Sequence, residues 1–395
     1  MMGMNRNLMR RAALILPVAG LFALWALAYG GREPPPERLY EQTMEPDLTE
    51  NVAIAPRDRA LTFARYREGD VLHLMLVENY ADGMVTGSLL PGDDPITLFN
   101  AQGHDGVAAQ AGPPVRVPAT ALVQPFDGTA NQIAIGVNYP AHKAEADMEE
   151  PFLFPKLSRA DAWAAAVPAG DGLLDYEVEL GFVALTDLPV DRHPRTMGLV
   201  LAADYTDRAL LLRRVNLLDP ESGDGFTDAK SRPGYMPVGN LLVIPRDVRG
   251  FYADLRLQLF VEGGLRQVAR PRDMVWQLDR MLAESRAKAE MSWAADGGPA
   301  TLPIDNNGTI PARTIILSGT TDGVVFRPPG VRQTFIGVME TLFVPWHWSS
   351  WRDRLVARAI GEAQAGGHYL QPGQQVVMHA DRLGVIHNKI VGASP

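Results

Sequence analysis

The segment Leu174-Asp175-Tyr176-Glu177-Val178-Glu179-Leu180-Gly181 decides how the rest of the chain is read. Acidic and apolar residues alternate in it, which is the period of an extended strand whose side chains point to opposite faces in turn. Asp175, Glu177 and Glu179 then share one face, and Tyr176, Val178 and Leu180 the other. Neighbouring acids on that face lie about 6.6 Å apart along the strand, from a rise of ~3.3 Å per residue. Like charges at that spacing are costly without a cation, and a hard divalent ion with oxygen ligands suits them. A solvated polar strand face shows the same alternation, so the segment needs support from elsewhere.

Two other places supply it. Asp204 closes the apolar run Gly198-Leu199-Val200-Leu201-Ala202-Ala203, at a strand end, where functional side chains concentrate. Its competing role is to cap a following helix, with Arg208 as its surface partner. His142 and Glu145 lie three apart, on one face of a short helix opened by Pro140. A neutral imidazole held by a carboxylate can take a proton from water near pH 7; the competing reading is a surface His beside an incidental acid.

Around these residues the pattern is one of short strands. Ala60–Tyr66 and Val71–Val77 read as a pair joined by a turn at 67–70, and residues 78–125 as loops with short strands. Further strands are expected at 133–137, 174–185, 197–203, 240–245, 254–261, 313–318, 373–379 and 384–391. Helices are expected at 206–218, at 271–291 (Met274, Leu278, Met281 and Leu282 forming its apolar stripe) and at 350–365. Many strands and few helices argue for an α+β, mostly β body rather than alternating βαβ units.

The chain has 395 residues, 46% hydrophobic and without Cys. That excludes disulfides, thiolate metal sites and a cysteine nucleophile. Its net charge of −9, with no long basic run, gives no footprint for nucleic acid.

Arg10-Arg11 precede an apolar run, residues 12–28, that ends before Gly30-Gly31 and Pro34-Pro35-Pro36. This is the layout of a signal peptide or N-terminal membrane anchor at 1–30, and implies a membrane-anchored or exported, periplasmic-side protein. Residues 31–55 read as a linker. Trp346, Trp348 and Trp351 suggest a further membrane contact, or rings packed over a core or a dimer contact.

Taken together and in order, the motifs resemble those of the fumarylacetoacetate hydrolase superfamily. Gly136-Val137-Asn138-Tyr139-Pro140-Ala141-His142-Lys143-Ala144-Glu145 is similar to its G-x-N-Y-x-x-H-x-x-E, and Glu150-Pro151-Phe152-Leu153-Phe154-Pro155-Lys156 to its E-P-x-x-F-x-K. Asp175–Leu180 resembles D-Y-E-x-E-L, and Ala203-Asp204-Tyr205-Thr206-Asp207-Arg208 stands where the family has N-D-x-[ST]-x-R. Lys230-Ser231 with Pro237-Val238-Gly239, and Leu317-Ser318-Gly319-Thr320, resemble K-S…P-x-G and L-T-G-T.

The resemblance implies a mixed β-roll catalytic domain over 131–393 behind a small N-terminal β domain at 56–130. Insertions are expected near 219–229, 274–312 and 329–366. It implies a homodimer that acts on a small anionic oxo-acid with Mg²⁺, or else Mn²⁺ or Ca²⁺. Glu177, Glu179 and Asp204 would be the metal ligands, and His142, Glu145 and Lys156 the catalytic groups. Tyr139, Arg208, Lys230, Gly319 and Thr320 would hold substrate.

Hydrolysis of a C–C bond in a 2,4-dioxo acid is the first expectation. Tautomerisation or decarboxylation of 2-oxo or 2-hydroxy-dienoic acids on the same site is the second, and a non-catalytic binding module the third. Two departures bear on the choice. Ala203 replaces the family's Asn, and Asp207 puts an acid where it could pair with Arg208 and weaken its hold on substrate.

Overall fold

Ala60–Glu68 and Val71–Ala81 form the expected hairpin, with Glu68 opposite Val71 across a two-residue loop. Gly69 takes φ +59° there, a left-handed conformation that glycine adopts without strain. The computed structural model describes residues 40–327 and 351–392, apart from positions 111, 147, 171, 192, 193, 195, 217 and 218. It divides into two compact units, and nearly all described residues belong to the one made of Leu39–Pro328 and Ile360–Pro395. Of the other unit only residues 351–359 are described.

The hairpin sits in an 11-stranded sheet. Its order runs Pro114–Pro118, Met84–Leu90, Val71–Ala81, Ala60–Glu68, Leu242–Pro245, Gly198–Ala203, Val178–Val183, Ile315–Leu317, Gln132–Gly136, Phe152–Lys156. Leu122–Val123 pairs off the path, against Ala60–Glu68. Neighbours are antiparallel except Ile315–Leu317 with Gln132–Gly136. A second sheet of five strands runs Gly264–Ala269, Leu257–Val261, Gln375–Ala380, Gly384–Val391, Ala166–Pro168. One apolar cluster joins them, with Ala64, Tyr66, Met75 and Val85 from the first sheet and Phe260, Leu265, Val377 and Val385 from the second. The fold is thus mixed α+β and dominated by strands, as expected. Residues 40–55, expected as a linker, lie along both sheets: Thr43 bridges Gly264 and Val52 bridges Tyr80.

Several expectations are corrected. The expected strand 174–185 is two pieces, Leu174–Asp175 and Val178–Val183, and no face of it is solvated, because sheet neighbours and loops cover every residue. The helix expected at 206–218 is Arg208–Arg214. The one expected at 271–291 shortens to Leu278–Ala287 behind a single turn at Pro271–Asp273. Residues 78–125 hold an unexpected helix, Pro95–Ala108, bent at Gly103. Its start was legible, since Asp94 caps it and Pro95 opens it. The helix expected near 350 is present as Trp351–Gly366.

The localisation expectation is also corrected. Among the described residues no helix is long and apolar enough to cross a membrane. The apolar run 12–28 and Trp346 and Trp348 lie outside the described residues, as do the side chain of Trp351 and most of the expected insertion at 329–366.

Asp94 ties the unexpected helix to the sheet. Its carboxylate accepts the Ile96 amide at 3.3 Å and pairs with Arg313, next to the Ile315–Leu317 strand. Burial pushes its pKa up, but hydrogen bonds from Arg313 and Thr97 outweigh that and hold it below the usual value. A carboxyl lowered in the folded state contributes fully at neutral pH, and that contribution fades as pH falls through the lowered value. Asp94→Ala is expected to cost about 1 kcal/mol in urea unfolding at pH 7. The difference from the wild type should shrink below about pH 4, where the unfolded-state carboxyl protonates.

Candidate active site

The register of two central strands brings distant acids together. Val178–Val183 pairs antiparallel with Gly198–Ala203, Val178 lying opposite Ala203, so the residue after each strand end meets the other. The Asp204 amide donates to the Glu177 carbonyl at 3.0 Å. One carboxylate oxygen each of Glu177, Glu179 and Asp204 then lies within 4.8 Å of the others, and all three residues are buried.

Cations are built in around them. Lys156 ends the Phe152–Lys156 strand, and its Nζ donates to Asp204 Oδ1 at 2.7 Å and to the carbonyls of Lys230 and Tyr235. Lys230 ends the helix Phe226–Lys230, which is seated on that strand by Phe226 against Phe152 and Phe154, at ring-centroid distances of 4.8 and 5.5 Å. Its Nζ donates to Glu177 Oε2 and Asp204 Oδ2, both at 2.8 Å. Arg208 opens the helix Arg208–Arg214 and donates to Asp175 Oδ2 at 2.9 Å and Glu177 Oε1 at 2.7 Å.

Burial and charge shift these groups strongly. Burial, then the charges of Asp204 and Glu177, hold the Glu179 carboxyl well above the carboxylate range. For Asp204, burial pushes the same way, but Lys156 and Lys230 overcome it and lower the value. Burial lowers the Lys156 ammonium despite Asp204, whereas in Lys230 the pull of Asp204 and Glu177 exceeds burial and raises it. Glu179 differs from the other two acids: among the described residues no lysine or arginine lies within ion-pair range of it, and its Oε2 accepts the Gly319 amide at 2.7 Å. Three convergent carboxylates, one of them unpaired, are hard oxygen donors suited to a divalent cation. The site can hold one.

The expected dyad is also formed. His142, in the helix Pro140–Ala146, places Nδ1 3.0 Å from Glu145 Oε2, and both side chains are largely buried. Segment 318–327 connects dyad and acids. It gives the Gly319 amide to Glu179, the Gly323 amide to Glu145 at 3.2 Å, and the Val325 and Phe326 amides to Asp175, each at 3.0 Å. The Phe326 ring lies 5.0 Å from the Arg208 guanidinium carbon.

Thr320 Oγ1 donates to the Val178 carbonyl at 2.9 Å and accepts from Gln267. Tyr139 is buried, and burial with the Glu179 charge raises its phenol pKa.

Two sequence readings are corrected. Asp175 does not converge with Glu177 and Glu179; it anchors Arg208 and the 325–326 backbone. Asp207 does not compete for Arg208. It caps the helix through the Leu210 amide at 3.0 Å and pairs with Arg232, so the cap is Asp207 and not Asp204.

Two supporting roles went unread, that of Asn138, quoted only as a motif position, and that of Gln267. Asn138 donates to the Trp276 and Ser318 carbonyls and accepts the Trp276 amide at 2.7 Å, fixing the start of the dyad helix. Gln267 accepts the Val178 amide at 3.0 Å and donates to Thr320 Oγ1 and the Thr321 carbonyl. Its signal was a lone amide on the apolar face shared with Leu265 and Ala269.

Residues 131–391 match the fumarylacetoacetate (FAA) hydrolase C-terminal family, and the chain belongs to it. A curated relative, 2,4-didehydro-3-deoxy-L-rhamnonate hydrolase of Sphingomonas sp. (strain SKA58), is 27% identical over 169 residues. That match covers 40% of this chain and only 56% of the relative's length. The structure is similar to fumarylacetoacetate hydrolase from the psychrophile Exiguobacterium antarcticum (TM-score 0.52, 18% identity, 84% of this chain and 99% of that one). It is also similar to 5-carboxymethyl-2-hydroxymuconate delta-isomerase from Mycobacterium smegmatis (TM-score 0.51, 18% identity, 85% of this chain and 100% of that one). At such identity these structures establish the shared fold. Of these similar proteins, the curated relative is named as a hydrolase and one solved structure as an isomerase.

Gly319 has φ +75°, and a Cβ there would meet the Ile135 carbonyl oxygen at 2.8 Å and Asn138 Cβ at 2.9 Å. Gly319→Ala is therefore expected to destabilise the chain by more than about 1 kcal/mol. Denaturant midpoints would check this, and an unchanged midpoint would count against the close approach.

Proposed function

We propose that the chain is a divalent-metal-dependent hydrolase of a C–C bond in 2,4-dioxo (acylpyruvate-like) acids. The observation that carries this is the convergence of Glu177, Glu179 and Asp204 within 4.8 Å in a buried site. Mg²⁺ is the proposed ion, with Mn²⁺ or Ca²⁺ as substitutes, held by those three acids. Bound there, it would act as a Lewis acid toward the negative charge that develops on the 2-oxo acid.

The chain's own residues account for the remaining steps. Glu145 Oε2 accepts a hydrogen bond from His142 Nδ1–H, so that Nε2 is the unprotonated ring nitrogen that takes a proton from water. The resulting hydroxide adds to the C4 carbonyl. The C3–C4 bond then breaks, its electron pair forming the enolate of the departing 2-oxo acid, and return of the proton from His142 Nε2 to C3 releases two acids and restores the imidazole.

Asp175, Glu177, Glu179 and Asp204 face Lys156, Arg208 and Lys230, four carboxylates against three cations. A bound dication would favour ionisation of all four, and together with the three cations it would then leave an excess of one positive charge, which favours entry of an anionic substrate. Tautomerisation, which needs proton transfer alone, and decarboxylation, which breaks a C–C bond to release CO₂ and leaves an enolate to be protonated, would use the same groups; a structural relative is named as an isomerase. Product analysis separates the three reactions.

Mn²⁺ titration by calorimetry is expected to show one site per chain. Glu177→Gln and Glu179→Gln should each weaken it by about tenfold or more. With Mg²⁺, the wild type should bleach the ultraviolet band of an acylpyruvate, and Glu177→Gln should fall to background. Unchanged Mn²⁺ affinity in both variants would sink the metal site. Absence of turnover across a panel of oxo acids would sink the hydrolase.

A further inference from the structure

The side of Glu145 away from His142 is occupied. Arg327 Nη2 pairs with Glu145 Oε1 at 2.7 Å, and the Gly323 amide donates to the same oxygen at 3.2 Å. The other terminal nitrogen, Nη1, donates to the Val324 and Phe326 carbonyls, each at 2.8 Å. The guanidinium is therefore held by its own loop through one nitrogen and spends the other on the dyad.

We infer that Arg327 is the positioning residue of the His142–Glu145 pair. This rests on reading that pair as the base of the reaction. Glu145 can hold His142 as the Nδ1–H tautomer only if its carboxylate keeps one orientation. An isolated carboxylate pivots about its terminal bond, while one gripped on both oxygens does not. Arg327 and the Gly323 amide fix Oε1, which leaves Oε2 aimed at Nδ1 and makes Nε2 the ring nitrogen that accepts the proton of water.

The pair is largely shielded from water. The Arg327 side chain is 21% exposed and that of Glu145 9%, so solvent screens the interaction less than on an open surface. The same loop is anchored by Asp175 through the Val325 and Phe326 amides, and Asp175 also holds Arg208. Arg327 thus sets the imidazole from a segment whose backbone is already referenced to the acid cluster.

The test uses the full chain labelled with ¹⁵N-histidine, with His142→Asn to assign the His142 signals. The wild type is expected to show the Nδ1–H tautomer at His142, and Arg327→Met a mixture of tautomers at an unchanged melting temperature. On an acylpyruvate, Arg327→Met should lower kcat by about tenfold to a hundredfold with KM changed less than about twofold. Arg327→Lys should recover part of that loss.

An unchanged His142 spectrum in folded Arg327→Met would overturn the inference. So would a rise in KM at constant kcat, which would make Arg327 a substrate contact. If Arg327→Met does not fold, the spectrum of Arg327→Lys decides: intermediate tautomer populations support the assignment, and a wild-type spectrum with lost kcat overturns it. The spectrum needs no substrate, so a tautomer shift in a chain that turns over no oxo acid would sustain Arg327's role while refuting the hydrolase.

Discussion

Three carboxylates held within a few ångströms of one another, away from water, are the constraint on which the rest of this structure depends. Burial and mutual repulsion both work against ionising them. Glu177 and Asp204 are relieved by Lys156, Lys230 and Arg208, each delivered by a different element. Among the described residues Glu179 has the Gly319 amide and no cationic partner, and burial with the charges of Asp204 and Glu177 raises its pKa. A cation between the acids is the simplest completion of that arrangement.

The supporting elements follow from this need. The aromatic contact of Phe226 with Phe152 and Phe154 brings two ammonium groups to the same aspartate. Segment 318–327 supplies backbone amides to Glu179, Glu145 and Asp175 in turn, so the His142–Glu145 pair and the acid cluster share one frame. Gln267 crosses from the second sheet to hold the start of the Val178–Val183 strand. The two sheets therefore do more than enclose an apolar core; each contributes polar groups that fix the site.

Much of the site was legible because family motifs place chemistry-bearing residues at set spacings. His142 with Glu145, and Glu177 with Glu179, are local pairs, and a helix or strand period is enough to align them. Where the reading failed, local signals were ambiguous. Asp204 and Asp207 both precede a helix, and only the Leu210 amide identifies the cap. Asp175 has the same alternation as Glu177 and Glu179, yet the chain breaks from the strand between residues 175 and 178, and its carboxylate turns to Arg208. The helix Pro95–Ala108 was missed because its glycines mask a weak apolar stripe, although Asp94 and Pro95 marked its start.

By itself the sequence determined the mostly β class, the family and the pairs set by local periodicity, because these depend on residue type and short spacing. The tertiary structure alone decided which acids converge, since that follows from strand register and not from position in the chain. It also decided which arginine pairs with Asp175, with Asp207 and with Glu145. Those contacts join residues 25 to 182 positions apart, and only packing of the two sheets and their loops brings such groups within hydrogen-bonding distance.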